Sequence, residues 1–141
     1  MVIIVCLDEN GGMLFNGRRQ SRDKAVAERI RGLCKGKRLW MNSYSYSLYG
    51  RMEGVEAAKD EHFLMKAGEG EKCLLETEKL KPVEGKIEKI IVFRWNRKYP
   101  ADMSIDWEPD KWERVSTLEF PGVSHEKITE EVYKRDREVT V

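Results

Sequence analysis

Apolar residues along this chain gather in short runs separated by charged turns, and the spacing within each run indicates the element it forms. Val2-Ile3-Ile4-Val5-Cys6-Leu7 is a continuous apolar stretch, the pattern of a central parallel strand buried on both faces. Asn10-Gly11-Gly12 breaks it, and residues 8–19 read as a loop with Gly11, Gly12 and Gly17 as hinges of a lid. Over about residues 22–33, Val26, Ile30 and Leu33 recur at helical spacing, with Ser21 as the N-cap and Gly36 just past the end. Leu39-Trp40-Met41 then reads as the next parallel strand of a right-handed βαβ unit. Residues 43–49 read as a short helix stopped by Gly50.

In the middle, residues 54–58 suggest a brief edge strand, 60–67 a short helix, 72–76 another buried strand and 81–85 a turn. Ile90-Ile91-Val92-Phe93 is a clear strand, and a polar, aromatic loop follows over 94–102. Residues 112–120 and 128–133 read as antiparallel strands joined through Pro121-Gly122-Val123-Ser124-His125. There is no internal repeat, low-complexity tract or linker. The expected fold is one α/β domain over residues 1–141: a central, mostly parallel sheet flanked by short helices, closed by a C-terminal antiparallel hairpin.

Composition narrows the function classes. With 141 residues the chain suits one domain with a real core. Twenty-six basic against 25 acidic side chains leave a formal charge of +1, so only a local patch could favour nucleic acid or an anionic membrane. No apolar run approaches the roughly 20 residues of a membrane span, and the opening segment reads as a strand and not a signal peptide. Cys6, Cys34 and Cys73 are scattered and odd in number, as expected for reduced thiols of a cytoplasmic protein. No paired Cys/His spacing around His62 or His125 suggests a metal site.

The order of these segments resembles the dihydrofolate reductase family. The opening strand, Gly-bearing loop, helix and second strand match its beginning. Ile90-Ile91-Val92-Phe93, then Asp106-Trp107-Glu108-Pro109-Asp110-Lys111-Trp112 and two closing strands, match its C-terminal third. The match spans roughly residues 2–50 and 86–136; the riboflavin-biosynthesis reductase domain is a weaker likeness. The resemblance implies a carboxylate on the first helix that binds the pterin and helps deliver a proton. Asp23 is the acid near that place, while in simple register the position falls to Val26. On the cofactor side, where the family has Met-Gly, a basic residue and Thr, this chain has Met41-Asn42-Ser43-Tyr44-Ser45. Where the family has a glycine-rich turn against the pyrophosphate, it has Leu75-Glu76-Thr77-Glu78. Ordinary NADPH binding is therefore not expected, since carboxylates repel a diphosphate.

Two basic sets remain as ligand candidates. Arg18, Arg19 and Arg22 would rim the cleft, and Arg94, Trp95, Asn96 and Arg97 follow a strand whose C-terminal end points to the same crevice. Arginines suit phosphate or carboxylate, Trp95 suits stacking, and Asn42 (with Ser45 beside it) and Asn96 suit heterocycle edges. The leading expectation is a binding protein for a nucleotide-like or anionic heterocyclic ligand. The alternatives are an NADPH-dependent reductase with Asp23 as proton relay, and an RNA-binding protein or ribonuclease with His125 as acid or base. A strand edge left by the shortened middle could pair with a second copy in a homodimer.

Overall fold

A computed structural model describes residues 1–135; residues 136–141 of the expected domain lie outside the described residues. The opening strand β1 (Val2–Leu7) lies at the centre of the main sheet. It pairs in parallel with β6 (Lys72–Leu75) on one side and β7 (Lys89–Arg94) on the other, so Ile3 faces both Cys73 and Ile90. β4 (Arg38–Met41) and β5 (Glu56–Lys59) extend the parallel half, and β5 is its edge. The closing hairpin, β9 (Trp112–Phe120) and β10 (Ile128–Arg135), adds antiparallel to β7. The resulting order is β5-β4-β6-β1-β7-β10-β9 in seven strands.

Burial on both sides of this sheet explains why β1 and β7 are apolar throughout. On one face α1 (Lys24–Cys34) and α2 (Ser43–Tyr49) cover Val2, Ile4, Leu39, Met41 and Phe93, with Val26, Ile30, Cys34 and Tyr49 buried between. On the other, Phe63 and Leu64 of α3 (Phe63–Lys66), together with Leu80, Val83 and Ile87, pack on Ile3, Val5 and Ile90. Each such aliphatic side chain contributes about 1.5–3 kcal/mol on burial.

Two local expectations change. Asp23, not Ser21, caps α1: its backbone is extended (φ −151°, ψ 132°) and its carboxylate accepts from the Ala25 N–H at 2.8 Å. The stretch read as an open loop is instead a hairpin, β2 (Gly12–Phe15) with β3 (Arg18–Arg19), and β2 also pairs with β8 (Met103–Ser104). Asn16 and Gly17 both have positive φ, 52° and 71°, as a two-residue turn between right-twisted strands requires. Asp8 anchors the base of this hairpin by accepting from the Asn10 and Gly12 N–H groups at 2.8 Å and from Gln20 Nε2 at 2.9 Å.

Candidate functional site

The C-terminal ends of β1 and β6 define the crevice where parallel sheets ordinarily receive a ligand. The β2–β3 hairpin and α2 bracket it, and their side chains converge there. Glu76, just past β6, accepts two bonds from the Arg19 guanidinium, Nε to Oε2 at 2.9 Å and Nη2 to Oε1 at 3.0 Å. Ser45 Oγ donates to the same carboxylate at 2.8 Å. The guanidinium stands 4.4 Å from the centre of the Tyr44 ring, and the Arg19 N–H donates to the Tyr44 hydroxyl. Arg19 therefore lies within the crevice, with its charge matched from inside the molecule.

Asn42 extends the network. Its Oδ1 caps α2 through the Ser45 N–H at 2.9 Å, while Nδ2 donates to Thr77 Oγ1 at 2.8 Å and Glu78 Oε1 at 2.5 Å. Glu61 accepts from the Ser43 N–H at 2.7 Å, so these two amides at the start of α2 have acceptors within the protein. Glu78 Oε2 is buried without a hydrogen-bond partner. Burial pushes the Glu78 carboxyl above its ordinary value, against the bonds from Thr77 and Asn42 that pull it down.

A cleft of about 400 Å³ opens between α1 and α2. Ala27, Leu48, Tyr49, Met52 and Val123 line it, with Arg22 and Lys24 contributing positive charge. Asp23 and Ser124 also border it.

Asp23 is saturated with donors. It accepts from the backbone N–H groups of Ala25 (2.8 Å), Val123 (3.0 Å), Ser124 (2.8 Å) and His125 (3.0 Å), from Ser124 Oγ at 3.1 Å, and lies 2.9 Å from His125 Nδ1. Burial alone would raise its carboxyl; the bonds from Val123, His125, Ala25 and Ser124 outweigh it and hold the group well below the carboxylate range. The other ring nitrogen, Nε2, is 2.9 Å from the Tyr99 hydroxyl and 3.1 Å from Ser21 Oγ. Trp95 stacks on the imidazole, ring centres 4.7 Å apart and 19° from parallel.

The two basic sets named from the sequence thus come within reach of each other through Ser21, Tyr99 and His125, but their members are employed differently. Arg18 is exposed beside Tyr99, Arg22 is exposed at the cleft, and Arg97 is exposed beside Trp95 and Lys127. Arg94 pairs with Glu131 at 2.8 Å. Asn96 Nδ2 donates to Lys127 O and Thr129 Oγ1, which fastens the loop to β10. Trp95 is buried against His125, and Asn42 and Ser45 belong to the Glu76–Glu78 network. The Asp23–His125–Ser21–Tyr99 cluster has no signature in sequence spacing, because Ser21 and Asp23 lie about one hundred positions from His125. Among the described residues, no group of three or more His, Cys, Asp and Glu side chains is placed to hold a metal ion, and no helix is long and apolar enough to cross a membrane.

No family model matches the sequence, and no curated protein matches it. Among solved structures, the dihydrofolate reductase from Enterococcus faecalis, complexed with NADP(H) and RAB-propyl, is similar over 96% of this chain and 95% of that chain, with a TM-score of 0.66 at 15% identity. The central β1, the parallel half-sheet and the closing hairpin therefore together make the dihydrofolate reductase fold, over nearly the whole of this chain.

Proposed function

We propose that this protein binds a small anionic, partly aromatic molecule in the cleft between α1 and α2 and does not use NADPH in the manner of the reductases whose fold it shares. The observation that carries this reading is the bidentate Arg19–Glu76 pair across the ends of β1 and β6. The residues there do not fit a dinucleotide diphosphate. Glu76 and Glu78 put carboxylates beside the start of α2, the Ser43 and Ser45 amides already have acceptors, and Arg19 is already paired with Glu76. The cleft offers what a ligand needs: apolar walls from Ala27, Leu48 and Met52, the Tyr49 ring, and the Arg22 and Lys24 cations for an acidic group.

A thermal-shift screen of nucleotides, cyclic nucleotides, folates and NADPH on the full chain tests this. A ligand at one hundred times its Kd adds about 2.7 kcal/mol of stability, and the shift should vanish in Arg22→Ala. Consumption of NADPH absorbance with a pterin substrate would overturn the reading in favour of a reductase.

A further inference from the structure

We propose that Ser21, His125 and Asp23 form a hydrolytic site for small carboxylic esters, with Ser21 as nucleophile, His125 as base and Asp23 as the group that positions the imidazole. Of the three, only Asp23 also borders the anion cleft, and the inference does not depend on what that cleft binds. Asp23 is ionised and can only accept, so the proton on the imidazole lies on Nδ1, 2.9 Å from Oδ2. That tautomer leaves the Nε2 lone pair facing both Ser21 Oγ at 3.1 Å and the Tyr99 hydroxyl at 2.9 Å, so Ser21 gives up its proton there when Tyr99 turns to the substrate oxygen. The ring cannot swing away: Trp95 stacks on one face, and the His125 backbone N–H is tied to the same carboxylate at 3.0 Å.

Capping does not call for this arrangement. The N–H groups of Ala25, Val123, Ser124 and His125 already supply Asp23 with donors, yet an imidazole is also buried against it and two hydroxyls are gathered at its far nitrogen. Ser21 itself is only half-buried, and its chain neighbours Gln20 and Arg22 line two separate clefts. Tyr99 Oη is 3.4 Å from Ser21 Oγ, close enough to donate to an oxygen on the carbon that Ser21 attacks.

In the first step Ser21 Oγ bonds to the ester carbonyl carbon and its proton passes to Nε2. The carbonyl oxygen carries the negative charge beside Tyr99. The C–O bond to the alcohol then breaks, the alcohol leaves with the Nε2 proton, and an acyl group remains on Ser21. Water repeats the sequence with His125 as base, releasing the acid and restoring the hydroxyl.

A fluorophosphonate probe, which serine nucleophiles displace at phosphorus with loss of fluoride, tests this on the full chain with the adduct located by mass spectrometry. The expected result is modification at Ser21, absent in Ser21→Ala and about a hundredfold slower in His125→Gln. Asp23→Asn keeps an acceptor oxygen for the cap, and it should slow labelling about a hundredfold and remove the Nδ1 proton resonance of the wild-type imidazole from the NMR spectrum; an Asp23 that only holds the helix would change neither. Should His125→Gln unfold, Ser21→Cys decides: its thiol should react with iodoacetamide well below the pH of an ordinary thiol. The native thiols give little background, since burial pushes Cys6 and Cys34 upward and Cys73 to about 12. Absence of any adduct at Ser21 between about pH 6 and pH 9, across imidazole ionisation, together with ordinary reactivity of that thiol, would overturn the proposal. So would modification at Tyr99 alone.

Discussion

Arg19 and Glu76 are joined by two parallel N–H···O bonds, and their side chains are only 20% and 12% exposed. A partly sheltered bidentate pair is far stronger than a surface ion pair, and losing one member strands the other. Arg19→Met should lower stability by about 1.5–3 kcal/mol, and Glu76→Gln by less, because the amide oxygen still accepts. Urea denaturation of the two variants and the double variant gives the coupling directly. A coupling near zero would mean that water already solvates both groups.

Asp23 makes acid stability specific. Its folded-state ionisation lies below the ordinary 3.8, so the stability it contributes is complete above that value and is lost as pH falls through the lowered one. The wild type should therefore lose Tm progressively below about pH 4, while Asp23→Asn, already less stable at neutral pH, should show a flatter profile there. Scanning calorimetry across that range checks both statements.

Glu78 has the opposite sign. Its carboxyl is raised, so the folded state favours the protonated form, and stability falls as pH climbs from the ordinary 4.5 through the raised value. Glu78→Gln keeps an oxygen for Asn42 and Thr77 and removes the buried charge. It should raise Tm by a few degrees at neutral pH, equivalent to about 1 kcal/mol, and the gain should disappear below the ordinary carboxylate range.

Gly122 has no room for a side chain. A Cβ there would lie 2.5 Å from His125 O and 2.8 Å from Asp23 Oδ2. Gly122→Ala should cost about 1–3 kcal/mol and should also perturb the His125 ring resonances in an NMR spectrum, whereas Gly85→Ala, which meets nothing, should leave those resonances in place.

Much of the architecture was legible because apolar patterning records burial. The unbroken run Val2–Leu7 read as a central strand and is flanked by β6 and β7. The helix after it and the antiparallel pair read over 112–120 and 128–133 followed from period and turns, and the last strand runs on to Arg135. The β2–β3 hairpin does have a local signal, Asn16-Gly17 between Leu14-Phe15 and the arginines. The glycines upstream suggested looseness, and it is Asp8 and Tyr99, which no local pattern joins, that fasten the segment. The site was less legible still. Residue types suited to anions were visible, but Arg19 and Arg94 spend their charge on Glu76 and Glu131, and only the tertiary fold sets those pairings. Asp23 was found as a carboxylate of interest, while its contact with His125 depends on the return of the chain before β10.

The hairpin that carries Arg19 is itself hydrogen-bonded to β8, and its base is fastened by Asp8 to Gln20. The ribbon therefore stays in place when the guanidinium turns about its own side-chain bonds, and Glu76 would then keep Ser45 Oγ as a donor. A change of charge at the inner end of the sheet thus calls for no rearrangement of backbone.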